Sequence, residues 1–79
     1  MSIARFQISL NNINKWDLEV IEDGSVSTCC NIGSKSLALE IAQAYCYDNY
    51  GFDILFEVVR STRTHIIYDA HSKQVSRLA

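Results

Sequence analysis

Residues 33–51 read GSKSLALEIAQAYCYDNYG, from Gly33 to Gly51. Their apolar positions recur at steps of three and four, which is the period of a helix lying on a core. Ser34 is a suitable N-cap, because its hydroxyl can accept from an orphan N–H of the first turn. Gly51 can take the left-handed conformation that closes a helix, so the helix is predicted over Lys35–Tyr50. On this phase Leu37, Ala38, Ile41, Ala44 and Tyr45 form the inner stripe, with Glu40, Gln43 and Tyr47 facing out. Leu39, Cys46 and Tyr50 flank that stripe, so the apolar arc is wider than one sheet needs.

Upstream of the helix the period changes from near four to two. Ala4, Phe6, Ile8 and Leu10 alternate with Arg5, Gln7 and Ser9, the pattern of a half-buried strand. A turn follows at Asn11-Asn12-Ile13-Asn14, and then a second strand with Trp16, Leu18 and Val20 on one face. Asp23-Gly24 is a type I′ hairpin signal, since both central residues of that turn need positive φ. In the third strand, Ser25–Ile32, strict alternation puts Val26, Thr28, Cys30 and Ile32 toward the core. Ser25, Ser27, Cys29 and Asn31 then face the other way.

Downstream, Phe52, Ile54, Phe56 and Val58 alternate with Asp53, Leu55, Glu57 and Val59. A turn is expected at Arg60-Ser61-Thr62-Arg63, a strand over 64–69, another turn at Ala70-His71-Ser72-Lys73, and a short sixth strand over 74–78. The fold class is therefore α+β within one domain, 1–79. An antiparallel sheet of five or six strands in the order β-β-β-α-β-β carries one helix on one face. Ile21, Leu55 and Val59 fall by phase on the face away from the helix. Two explanations fit them: a bulge that rephases the strand, or a second covered surface such as a homodimer or partner interface.

Composition narrows the function classes. Of 79 residues, 48% are hydrophobic and 20% charged, which excludes an intrinsically disordered chain. No apolar run is long enough to cross a membrane, and no signal peptide is expected. Three cysteines, two of them adjacent at Cys29 and Cys30, suit free thiols in a reducing, cytoplasmic compartment better than a disulfide scaffold. The net charge of −2 is unevenly placed. Residues 1–59 carry Arg5, Lys15 and Lys35 against eight acids, whereas 60–79 carry Arg60, Arg63, Lys73 and Arg77 against Asp69 alone. A basic C-terminal fifth on an acidic body can steer a partner.

Catalytic and metal chemistry find little support. Cys29, Cys30, Cys46, His65 and His71 are the available zinc ligands, but adjacent strand residues point to opposite faces and the spacing matches no zinc knuckle. No metal and no cofactor is expected. A reactive thiol needs a depressed pKa, and only the closeness of Cys30 to the helix N-terminus speaks for one. Glu19, Glu22, Asp23, Asp53 and Glu57 are all expected in water, with no cleft to pair them. No phosphate loop or hydrolase motif occurs. The chain is expected not to be an enzyme. Direct nucleic-acid binding rests on Arg60, Arg63, His65, Lys73 and Arg77 and lacks an aromatic-rich strand for stacking.

With its hairpin closed at Glu22-Asp23-Gly24, its helix opened by Gly33-Ser34-Lys35 with Ala38 and Ala42 inside, and its closing hairpin, the layout resembles small proteins of bacterial viruses and mobile elements. Several anti-CRISPR proteins are among them, and uncharacterised small bacterial domains share the plan. That resemblance implies a stoichiometric inhibitor of a host nucleoprotein complex and carries no functional residue over. The expectation is a protein-binding protein in which Arg60, Arg63, Lys73 and Arg77 meet the partner while Tyr47 and Tyr50 supply packing.

Overall fold

A computed structural model describes residues 2–72. Strands β1 (Ser2–Leu10), β2 (Trp16–Glu22) and β3 (Ser25–Ile32) precede helix α1 (Lys35–Tyr50), and β4 (Ile54–Ser61) and β5 (His65–Ser72) follow it. The five strands form one antiparallel sheet in the order β3-β2-β1-β5-β4. The α+β class and the order of elements are as the sequence predicts. The sixth strand expected over 74–78 lies outside the described residues. The helix is thus the crossover that carries the chain from one edge of the sheet, β3, to the other, β4.

Local signals behave as their chemistry requires. Asp23 (φ 48°) and Gly24 (φ 83°) both take positive φ in the β2–β3 hairpin. The Ser34 Oγ accepts from Leu37 N at 3.1 Å, and Gly51, at φ 86°, donates its N–H to the Tyr47 carbonyl at 2.9 Å. Lys35 lies 5.7 Å from the centre of the Trp16 ring, tying the start of the helix to β2.

The core lies between the helix and one sheet face. Phe6 and Ile8 of the central strand are wholly buried, with Ala4, Leu18, Val20, Ile32, Ile54 and Ala70 around them. Phe6 stacks on Tyr68 at 5.2 Å between ring centres and meets Phe56 edge-on at 5.9 Å. From the helix come Ala38, Ala42 and Cys46, none with any exposed surface. They are spaced by four, and their small side chains let the helix settle close to the strands. The inner stripe therefore differs from the predicted one. Leu37 and Ala44 are exposed, and Tyr47, expected outside, packs against the core. Leu39, Ile41 and Tyr45 pack at its margin.

Three further corrections concern the strands. Leu18 pairs with Cys29 but Trp16 pairs with Ile32, so β3 holds one residue more than β2 between these rungs. Asn31 (φ 60°) takes the left-handed conformation there, held by its N–H to Asp17 Oδ1 at 3.1 Å and by Asn11 Nδ2 donating to its own side chain at 3.0 Å. The bulge reverses the phase. Cys29, with Ser27, is on the helix side, and Val26, opposite Ile21, is on the open side. Cys30 is exposed rather than buried with Ile32. Strand β5 runs through Ala70, His71 and Ser72, where a turn was expected, because each finds a partner in β4 or β1. Ser61 likewise continues β4, and Phe52 precedes it, 80% exposed.

Candidate functional site

Among the described residues, only β1, β2 and β5 have neighbours on both sides, so β3 and β4 are edges. The two edges differ in chemistry. Along β3, Ser25, Ser27, Thr28 and Asn31 are exposed together with Val26, Cys29 and Cys30, and the bulge at Asn31 twists the edge, as natural sheets do to discourage pairing. Along β4, Leu55, Val58 and Val59 are about half exposed, at 53%, 51% and 47%. Val58 falls opposite Tyr68 on the helix side, but the helix does not reach far enough to cover it. Glu57 and Arg60 fall opposite Asp69 and Ile67 on the open side, because Val59 is an extra residue between the rungs. The bulge weighed from the sequence occurs here at Val59, but it does not rephase Leu55, which stays on the open face and is exposed.

The predicted partner residues separate into two places. Arg60, near the end of β4, and Arg63, in the β4–β5 turn, are exposed, and neither has an ion-pair partner among the described residues. At the other end of the sheet, the Tyr47 ring packs 5.3 Å from Phe52 and 5.6 Å from Phe56. Tyr50 donates its hydroxyl to Glu22, as does Tyr45. The structure therefore does not join the tyrosines to the arginines. Lys73 and Arg77 lie outside the described residues. The strong exposure of Phe52 and Val58 escaped the alternating pattern, which counted both as core; only how far the helix extends over β4 could have shown it.

The two tyrosine hydroxyls hold the Glu22 carboxyl below the usual carboxylate range, and the hydrogen bonds they donate to it, with some desolvation, raise Tyr45 and push Tyr50 up to about 12. A carboxyl depressed by folding stabilises the fold above its unfolded value and loses that contribution as pH falls through the folded one. A phenol raised by folding stabilises below its unfolded value and loses that contribution as pH rises through the folded one. The urea midpoint should therefore be level from about pH 5 to about pH 8 and fall on both sides. Glu22→Gln should lessen both falls and abolish neither, because the buried Cys46 thiol, which folding also raises, keeps part of the alkaline one. The acid remainder belongs to Asp69, which its ion pair with Arg5 also holds below the usual carboxylate range.

That ion pair lies in a polar strip on the open face. Arg5 donates from Nε to Asp69 Oδ1 at 2.6 Å and from Nη2 to Oδ2 at 3.0 Å. His71 Nε2 meets Glu57 Oε1 at 2.8 Å, and His65 Nε2 meets Gln7 Oε1 at 3.2 Å. Donor atoms of Glu57, Asp69 and His71 come within 4.8 Å of one another, a possible grouping for a cation. Arg5, however, already engages both Asp69 oxygens and supplies the positive charge there, which disfavours a second cation.

A small apolar hollow, about 110 Å³, opens between β3 and the helix, lined by Leu18, Val20, Ser27, Thr28, Cys29, Ile41 and Tyr45. Its thiol and that of Cys30 are exposed, whereas burial pushes the Cys46 thiol up to about 11. A maleimide or disulfide reagent at neutral pH should therefore label two thiols promptly. The third should react at least about a hundredfold more slowly until denaturant opens the core. Fast labelling of all three would contradict the packing of Cys46.

Among the described residues, no helix is long and apolar enough to cross a membrane. No protein-family model matches this sequence, and no curated protein or solved structure shows significant similarity to it.

Proposed function

We propose that this chain is a non-enzymatic binding protein that acts through protein–protein contact along its β4 edge. The observation that carries this reading is the run of half-exposed apolar side chains, Leu55, Val58 and Val59, on a strand with one open side. An unpaired strand of this kind offers a row of free backbone donors and acceptors beside apolar surface, which is how sheets recruit another strand. Polar groups of the types that serve catalysis are engaged with one another, as in Arg5–Asp69, His71–Glu57 and Glu22 with its two tyrosines. Exposed free cysteines suit a reducing cytoplasm. The sharpest form of the reading is an inhibitor of phage type directed at a host defence nucleoprotein complex. Arg60 and Arg63 would add unpaired guanidinium groups beside the apolar edge.

A photo-crosslinking amino acid placed at position 58 in cells tests this reading, with the same group at exposed position 12 as control. Protein adducts should form at 58 and not at 12. A folded protein that gives no adduct at 58 would overturn it.

A further inference from the structure

We infer that the occupant of the β4 edge is a second copy of this chain, paired antiparallel to it about a two-fold axis beside Val58. The inference rests on the reading of β4 as an association edge and goes further by naming the partner. Its basis is the charge order along the segment. Asp53 lies at its start, Leu55, Val58 and Val59 occupy the middle with Glu57 among them, and Arg60 and Arg63 lie toward its end. Asp53, Arg60 and Arg63 are exposed and have no ion-pair partner among the described residues.

An antiparallel arrangement about a two-fold axis brings the acidic end of each strand to the basic end of the other, and does so twice. With Val58 beside the axis, Asp53, just before β4 of one copy, comes to the end where Arg63 lies in the β4–β5 turn of the next. The extra residue Val59 offsets the two by about one position, which a long arginine side chain can span. Glu57 then comes within side-chain reach of the second Arg60, and both are on the open face. The two Val58 side chains meet on the helix side, where the helix leaves them uncovered. The result is a continuous ten-stranded sheet with both helices on one face. The β3 edge has no comparable order: it carries no acid or base between Ser25 and Ile32.

Sedimentation equilibrium of the full chain over a wide concentration range tests the pairing, with circular dichroism to confirm that each variant folds. The mass should rise to twice 8.9 kDa with concentration. Asp53→Arg or Arg63→Asp alone should weaken the dimer roughly fivefold or more, since each reversal places like charges together at both ends. The double variant D53R/R63D should recover the wild-type constant to within about twofold. A mass that stays at 8.9 kDa throughout would overturn the inference, as would a dimer indifferent to the single reversals or one not restored by the double variant. The crosslinker at position 58 separates the two failures. An adduct with a different protein, from a chain that sediments as a monomer, retains the association edge and removes the second copy. No adduct at all removes both.

Discussion

Phe6→Ala is expected to cost about 3–5 kcal/mol, most of the stability of a domain this small. The ring has no exposed surface, and it is on the central strand. It stacks on Tyr68 from β5 and meets Phe56 from β4 edge-on, so one truncation removes two ring contacts as well as the buried area. The strands around it are joined by backbone pairing and cannot easily collapse into the cavity left behind. Phe52→Ala is the matched control, because that ring is 80% exposed and its loss should change stability by no more than about 0.5 kcal/mol. Urea titration followed by circular dichroism measures both. Similar midpoints for the two variants would show that Phe6 does not organise the core.

The same pair shows where the sequence is legible. Phe6 belongs to a clean alternation in the central strand, where neighbours on both sides and one covered face leave the side-chain period undisturbed. The succession of elements along the chain, the hairpin turn and the helix caps were readable for a related reason: each is signalled by the chemistry of a few adjacent residues, such as Asp23-Gly24 or Ser34. Phe52 obeys the same alternation as Ile54 and Phe56 but precedes the strand and finds no cover. Coverage is a property of the assembled layers.

The candidate site was less legible because it depends on rephasing and coverage together. One residue at Asn31 reversed the faces of Cys29 and Cys30, and its cause is distant in sequence: Asp17 and Asn11 supply the groups that hold the bulge. Leu55 and Val59 were recognisable as apolar residues out of place, and both prove exposed on the β4 edge. Val58 was hidden by its correct phase, since it does face the helix side. Arg60 and Arg63 were identifiable by charge alone, but their separation from Tyr47 and Tyr50 follows from the antiparallel register, which places the arginines at one end of the sheet and the helix C-terminus at the other.

The phase of the helix gives the second large effect. Sequence periodicity placed Ala44 on the inner stripe, yet the stripe with no exposed surface is Ala38, Ala42 and Cys46. Ala42→Leu should therefore cost about 1–3 kcal/mol, because three extra carbons must enter a close-packed contact between helix and sheet. Ala44→Leu, at an exposed position, should change stability by less than about 0.5 kcal/mol. Leucine and alanine are both good helix formers, so the difference between the variants reports packing and not propensity. The physical reason for the offset is size. A four-residue row of two alanines and a cysteine allows close approach to Phe6, Ile8, Leu18 and Val20, while bulkier Leu39, Ile41, Tyr45 and Tyr47 seal its margins. Hydrophobicity alone weights the large residues and so rotates the expected stripe toward them. Denaturation of the two variants decides between the phases: equal losses, or a larger loss for Ala44→Leu, would favour the stripe centred on Leu37, Ile41 and Ala44.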